Sequence, residues 1–386
     1  MKNNINTIIF PLALGGMALG TTEFMVMGLL PLISSSLEIS IPSAGYLISS
    51  YAIGVMVGAP LIVTQAKRIA PKKMLLLLTA LIFIFNLCSA FSTNYVLMLT
   101  TRFFSGLPHG AFFGIASAVV SKMAPKDQKA RSISLIFSGL TISNILMVPL
   151  STYLSVQFNW QYSFFLVSFI SLLTLILIFI FLPSVKLDDE SRDVKLYSIF
   201  KSKKLWLLII ITTLGFSGLF AWISYIAPLM TNISGFFLSD ISWIMAVAGV
   251  GMFFGNVLGG YVTDKLKPLK ATFTLLSLSL LSLLSVFLFS DFQYVSVILT
   301  FLAGLFSMSV AGPLVIMMMQ SEGTSPAMGA ALVQTALNMA NFLGAFIGGL
   351  VIKNDLNYNY PALAGALLAG FGLVFCGIYY RQYNNK

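Results

Sequence analysis

The chain has 386 residues, 58% hydrophobic and only 9% charged, whereas soluble globular chains carry about a quarter charged residues. That excludes a soluble domain and indicates an integral membrane protein, whose repeated apolar runs of about twenty residues are long enough to cross the hydrocarbon as helices. A β-barrel would show short alternating segments instead, and the net charge of +10 does not call for a nucleic-acid partner, because the cations sit in short loops where the positive-inside rule places them.

Six spans are expected in the first half, near 7–33, 43–64, 73–91, 95–121, 132–154 and 162–182. The amino terminus begins like a signal peptide, but its apolar run continues to Ile33, carries Glu23 and shows no small-x-small cleavage site. It is read as a retained first helix. Tyr51 in the second span and Asn144 in the fifth are candidate ligand contacts. Interhelical hydrogen bonding is the plainer role for the asparagine.

The fourth span holds Arg102 and His109, seven residues apart and so on one helix face, about 10 Å apart along the axis. Glu23, Arg102 and His109 are the charged or protonatable residues that lie deep inside apolar runs. Intramembrane charge costs at least about 2.5–3.5 kcal/mol, so such residues face partners or a water-filled cavity. Counted from the outer helix ends, Glu23 lies about 15 Å deep, between Arg102 at about 10 Å and His109 at about 21 Å. A structural pin between helices one and four is the plain reading. A protonation switch is the functional one.

The charge-mixed stretch PSVKLDDESRDVKLYSIFKSKK bisects the chain. It divides the molecule into an N-terminal bundle (1–185), a cytoplasmic linker (186–204) and a C-terminal bundle (205–386). Leu196, Ile199 and Phe200 share a face in this linker, consistent with a short amphipathic helix.

The second half offers spans near 205–230, 241–262, 271–290, 294–319, 329–352 and 360–380. Trp222, Ser224 and Tyr225 are candidate substrate contacts, since the two rings stack on a ligand while donating hydrogen bonds. An interfacial aromatic belt is their alternative. Asn338 and Asn341 join the candidate set. Cys88 and Cys376 fall inside apolar runs, with neither disulfide nor metal-ligand spacing. One set of loops carries Lys67, Arg68, Lys72, Lys73, Lys122, Lys126, Lys129, Arg131, Lys265, Lys267 and Lys270, and the opposite set only Lys353, which makes both termini cytoplasmic.

A shift of 197 residues superposes Pro31 on Pro228, Gly54 on Gly251, Gly58 on Gly255, Pro71 on Pro268 and Asn144 on Asn341. This indicates an internal duplication, as in transporters built from parallel six-helix repeats with a substrate site at their interface. The same shift assigns Phe220, Leu299 and Phe306 as counterparts of Glu23, Arg102 and His109, so the second half is expected to lack the charge set.

The loop from Gly260 to Lys270 opens with G-x-x-x-D-[R/K], and helix four reads R-x-x-x-G from Arg102 to Gly106. Both resemble signatures of the major facilitator superfamily. Lys67 replaces the aspartate in the first-half copy of the loop. Helix five keeps Asn144 and Pro149 of the antiporter motif, with Met147 and Ser151 where glycines are common. The stretches TEFMVMGLLP (from Thr22), SGLPHGAFFG (from Ser105) and FAWISYIAP (from Phe220) resemble the AraJ-like branch of the drug:proton antiporters.

The resemblance covers essentially the whole chain. It implies an all-α membrane fold of twelve helices in two six-helix pseudo-repeats, in a bacterial inner membrane. It also implies small-molecule export driven by the proton gradient, with Glu23, Arg102 and His109 in proton coupling and Arg68, Asp264 and Lys265 as a conformational latch. A lipid bilayer and a small sugar-like or drug-like substrate are the expected partners, with the chain working as a monomer without cofactor, metal or nucleic acid. An uptake symporter on the same fold is the rival. Absence of G-x-x-x-x-G-K-[ST] argues against ATP drive, and a lone histidine with a lone buried carboxylate argues against an enzyme.

Overall fold

Proline decides where these apolar runs begin and break: it lacks an N–H and its ring clashes with the carbonyl four residues back, so it opens helices or interrupts them. The computed structural model describes residues 5–66, 69–125, 128–185, 202–321 and 326–383. Among them all twelve expected spans form. They are α1 (Ile5–Ser36), α2 (Ile41–Ala66), α3 (Pro71–Ala90), α4 (Tyr95–Met123), α5 (Lys129–Ile142, Ser143–Met147 and Val148–Gln157) and α6 (Gln161–Phe181). The second set is α7 (Lys203–Ile223 and Ile226–Asn232), α8 (Ile241–Leu266), α9 (Pro268–Phe289), α10 (Gln293–Met319), α11 (Pro326–Lys353) and α12 (Tyr360–Tyr383).

Proline opens α3, α9 and α11. Pro108 follows a break at Leu107 in α4, and Pro313 follows one at Val310 in α10. The Pro228 ring would clash with the Ser224 carbonyl of a continuous helix, and α7 is interrupted there. The Pro149 ring would clash with the Ile145 carbonyl of a regular helix, and a π turn over Ser143–Met147 widens α5 there. Two helix starts carry side-chain caps that satisfy an otherwise orphaned N–H: Asn94 Oδ1 accepts from Leu97 N at 2.9 Å, and Ser202 Oγ accepts from Leu205 N.

Two compact units emerge. The first holds the chain up to Met25 and from Ser50 to the end of α6, and the second holds Val26–Ser49 with α7 to α12. The first has a core of Leu12, Leu19, Leu75, Ile82, Phe112 and Val120 from α1, α3 and α4. In the second, a Cβ on Gly344 of α11 would overlap Ser217 and Ala221 of α7, so the two backbones nearly touch. In α1 and α7 the most apolar stretches are 83% and 78% buried, against 28% in α5, so these two are interior helices.

Helix contacts revise the repeat by one residue. In the first unit, Gly54 packs on the Phe103 carbonyl and Gly106 on that of Tyr51. In the second, Gly251 packs on Phe301 and Gly304 on Ala248. Helices α2 and α8 therefore match at 197, but α4 and α10 at 198. The counterparts of Arg102 and His109 are Thr300 and Ser307, both buried, in place of the expected Leu299 and Phe306. The second half lacks the charge at these positions but keeps polarity: Ser307 shares a 2.8 Å hydrogen bond with Ser279 of α9.

The Arg68 candidate, Lys67 and the linker's Leu196, Ile199 and Phe200 lie outside the described residues.

Candidate functional site: a buried polar network in the first unit

Four helices bring polar side chains to one point inside the first unit. Helix α1 supplies Thr22 and Glu23, α2 Tyr51, α3 Asn86, and α4 Arg102 and His109. Gly106 makes this possible, because with no Cβ it lets α4 lie directly on the α2 backbone at Tyr51. Arg102, His109, Tyr51, Thr22 and Asn86 are sealed from solvent, whereas Glu23 is 7% exposed.

Arg102 is held from two sides. Its Nη1 donates to Thr22 Oγ1 at 2.8 Å, and its guanidinium carbon lies 4.4 Å from the Tyr51 ring centroid. Thr22 passes the hydrogen bond on to Asn86 Oδ1 at 2.6 Å, and Asn86 Nδ2 ends the chain on the Ile82 carbonyl. The cation–π contact is worth about 2 kcal/mol when desolvated. Arg102 Nε and Nη2 have no hydrogen-bond partner among the described residues, which leaves part of the charge's desolvation uncompensated.

His109 links the two ends of the site. Its Nδ1 lies 2.8 Å from the Tyr51 hydroxyl, and its Nε2 lies 4.0 Å from Glu23 Oε2. The rings of Tyr51 and His109 meet edge-on with centroids 6.0 Å apart.

The three residues expected to act together are thus neighbours. Arg102 engages Thr22 and the Tyr51 ring, and His109 is the basic group within 4.0 Å of Glu23. Tyr51, expected among substrate contacts, belongs to this network. Sequence reading missed Thr22 and Asn86. Their signal was present: Thr22 adjoins Glu23, and Asn86 is an amide in an otherwise apolar span. Asn144 lies apart on the half-buried π turn of α5, beside Ser143, whose hydroxyl meets Thr21 of α1 at 3.0 Å.

In the second unit, Trp222, Ser224, Tyr225, Asn338 and Asn341 are all buried. Tyr225 is wedged against Gly45, Gly348 and Gly349, and its hydroxyl donates to the Ala345 carbonyl at 2.9 Å. It is therefore not displayed to lipid as a belt residue. Trp222 Nε1, Ser224 Oγ and Asn338 Oδ1 have no hydrogen-bond partner among the described residues. Of the latch candidates, Asp264 and Lys265 are exposed, with the Lys265 ammonium 4.4 Å from the Tyr261 ring centroid. Lys267, three residues after Asp264, has φ +67° and ψ 153°.

The family model of the Major Facilitator Superfamily matches residues 12–349 and 223–385. The chain is 37% identical over 380 residues to the putative transporter AraJ of Escherichia coli, covering 97% of this chain and 96% of AraJ. It is 32% identical to the E. coli inner membrane transport protein YdhP, covering 96% and 95% of the two chains. A chloramphenicol resistance protein of Streptomyces lividans is 25% identical, covering 95% and 94%. A probable sugar efflux transporter of Pasteurella multocida is 28% identical, covering 95% and 90%. Among solved structures, the E. coli xylose transporter XylE in a partially occluded inward-open conformation superposes with a TM-score of 0.77 at 16% identity, covering 99% of each chain. That likeness speaks to fold alone.

Proposed function

Since the chain belongs to the Major Facilitator Superfamily and is a multi-pass membrane transporter, we propose that it exports a small sugar-like or drug-like molecule in exchange for protons, by alternating access. The observation that carries proton coupling is Glu23, an acid inside the membrane with slight solvent access, 4.0 Å from the sole histidine. Ionisable side chains kept inside a membrane-spanning helix face partners or a water-filled path and mark proton relays. Arg102 brings a positive charge into the same network, where it engages Thr22 and the Tyr51 ring. The relatives described as efflux and resistance proteins support export.

Trp222, Ser224, Asn338, Asn341, Tyr225 and Asn144 are the proposed substrate contacts. The unsatisfied donor of Trp222 and acceptor of Asn338 suit a neutral ligand bearing hydroxyl or amide groups. Asp264, Lys265 and Arg68 are the proposed latch, with both termini cytoplasmic and the chain acting as a monomer.

Uptake symport is the second reading, favoured by Met147 and Ser151 in place of antiporter glycines. Inverted membrane vesicles with an imposed pH gradient decide between them, with radiolabelled chloramphenicol and xylose as probes. Export by exchange predicts probe movement opposite to the proton flow. Movement in the same direction supports symport, and movement indifferent to the gradient sinks proton coupling.

A further inference from the structure

We propose that His109 conveys the protonation state of Glu23 to Tyr51 by changing tautomer, which makes Tyr51 a positioning residue of the proton-coupled cycle. The proposal rests on Glu23 as the carboxyl that exchanges protons. It is argued from the two ends of one imidazole. Nδ1 faces the Tyr51 hydroxyl at 2.8 Å, and Nε2 faces Glu23 Oε2 at 4.0 Å, about 1 Å beyond a direct hydrogen bond. The charged or titratable groups here are Glu23 from α1, Tyr51 from α2, and Arg102 from α4, stacked on the Tyr51 ring. Helices α3 and α5 contribute the neutral Asn86 and Ser143.

A neutral imidazole has one donor and one acceptor nitrogen. An ionised carboxylate only accepts, so it selects the Nε2–H tautomer. Nδ1 is then an acceptor, and Tyr51 must donate to it. A protonated Glu23 carries an O–H that needs an acceptor in an apolar site, and Nε2 provides one once the ring proton sits on Nδ1. The Tyr51–His109 hydrogen bond then reverses, with Nδ1–H donating to the phenol oxygen.

The protons balance. The entering proton neutralises Glu23, the end of the network with solvent access, while the ring proton relocates from Nε2 to Nδ1 and the phenol keeps its own. The net change is one proton gained and one carboxylate neutralised, with imidazole and phenol both ending neutral. A further unpaired charge in this sealed site would be costly to bury, so the ring exchanges tautomers instead of charging. The consequence reaches the helix contact. Tyr51 carries the Arg102 guanidinium on its face, and its carbonyl is the surface on which Gly106 of α4 rests.

The chain has a single histidine, so the test is unambiguous. Full-length protein with nitrogen-labelled histidine, in lipid nanodiscs, is followed by nitrogen NMR from alkaline to acidic pH. The expected result is Nε2–H at the alkaline end and Nδ1–H at the acidic end. Glu23→Gln is expected to hold one tautomer throughout. Tyr51→Phe, which keeps the ring under Arg102 but lacks the hydroxyl, is expected to keep the Glu23-driven change of tautomer while proton-coupled flux is lost. The wild-type titration alone decides if a variant fails to fold. One unchanging tautomer, an imidazolium at acidic pH, or continued exchange in Glu23→Gln overturns the proposal. Tautomer exchange without any proton-driven flux would instead support the switch and sink the transport reading on which its role rests.

Discussion

The Tyr51 hydroxyl and His109 Nδ1 lie 2.8 Å apart, on helices whose backbones meet at Gly106. A hydrogen bond between two sealed side chains, on a contact with no room for a methyl group, ties the chemistry of the site to the packing of α2 on α4.

That packing makes Gly106→Ala costly. A Cβ there would overlap the Tyr51 carbonyl, which is backbone and cannot swing away. Overpacking of this kind costs about 1–3 kcal/mol, and thermal unfolding in detergent should show a clear fall in Tm. Gly114→Ala is the internal control. Its Cβ would meet nothing within 4 Å, and alanine's higher helix propensity should leave Tm unchanged or slightly raised.

Arg102→Met separates a functional charge from a structural pin. The guanidinium is fully buried with two unpartnered nitrogens, and replacing such a charge by an apolar side chain of similar length is often neutral or stabilising. Tm should hold or rise while proton-driven transport is lost. A fall of several degrees would mean that Arg102 chiefly pins α4 to Thr22 of α1.

Tyr225→Phe probes the second unit. The hydroxyl donates to the Ala345 carbonyl from a glycine-lined slot, and its loss should cost about 1 kcal/mol of stability. Gly45→Ala, whose Cβ would overlap the phenol of Tyr225, should cost more. Both are read from unfolding curves.

Lys267 is held at φ +67° and ψ 153°, a region that glycine tolerates and lysine does not. Pro268 requires extended ψ here, so only the sign of φ is unusual. Lys267→Gly should therefore stabilise the protein by about 1 kcal/mol, read as a rise in Tm.

The spans were legible because about twenty apolar residues bounded by polar loops leave little choice of element, and each formed within a few residues of its expected ends. The prolines at 108, 149, 228 and 313 were equally visible, yet the breaks around them depend on which carbonyl each ring displaces. The repeat was read one residue out of register at α10 because the anchors Pro31, Gly54, Gly58 and Pro71 precede a single-residue gain that falls between Pro268 and the start of α10, and the later match of Asn144 with Asn341 concealed it. One residue is a 100° turn of helix face, enough to assign Phe306 where Ser307 stands. In the site, depth counting brought Glu23 between Arg102 and His109. It carried no information on side-chain direction, which decides that Arg102 meets Thr22 and Tyr51 while His109 meets Glu23.

The most direct measurement uses purified protein in proteoliposomes, with a pH-sensitive dye inside and a gradient of a ligand found by thermal-shift screening at several pH values. The wild type should move protons against the ligand flow. Glu23→Gln should still exchange ligand for ligand but move no protons, with folding intact by its unfolding curve. Undiminished ligand-driven proton movement in Glu23→Gln would contradict the assignment of Glu23 as the proton-carrying group.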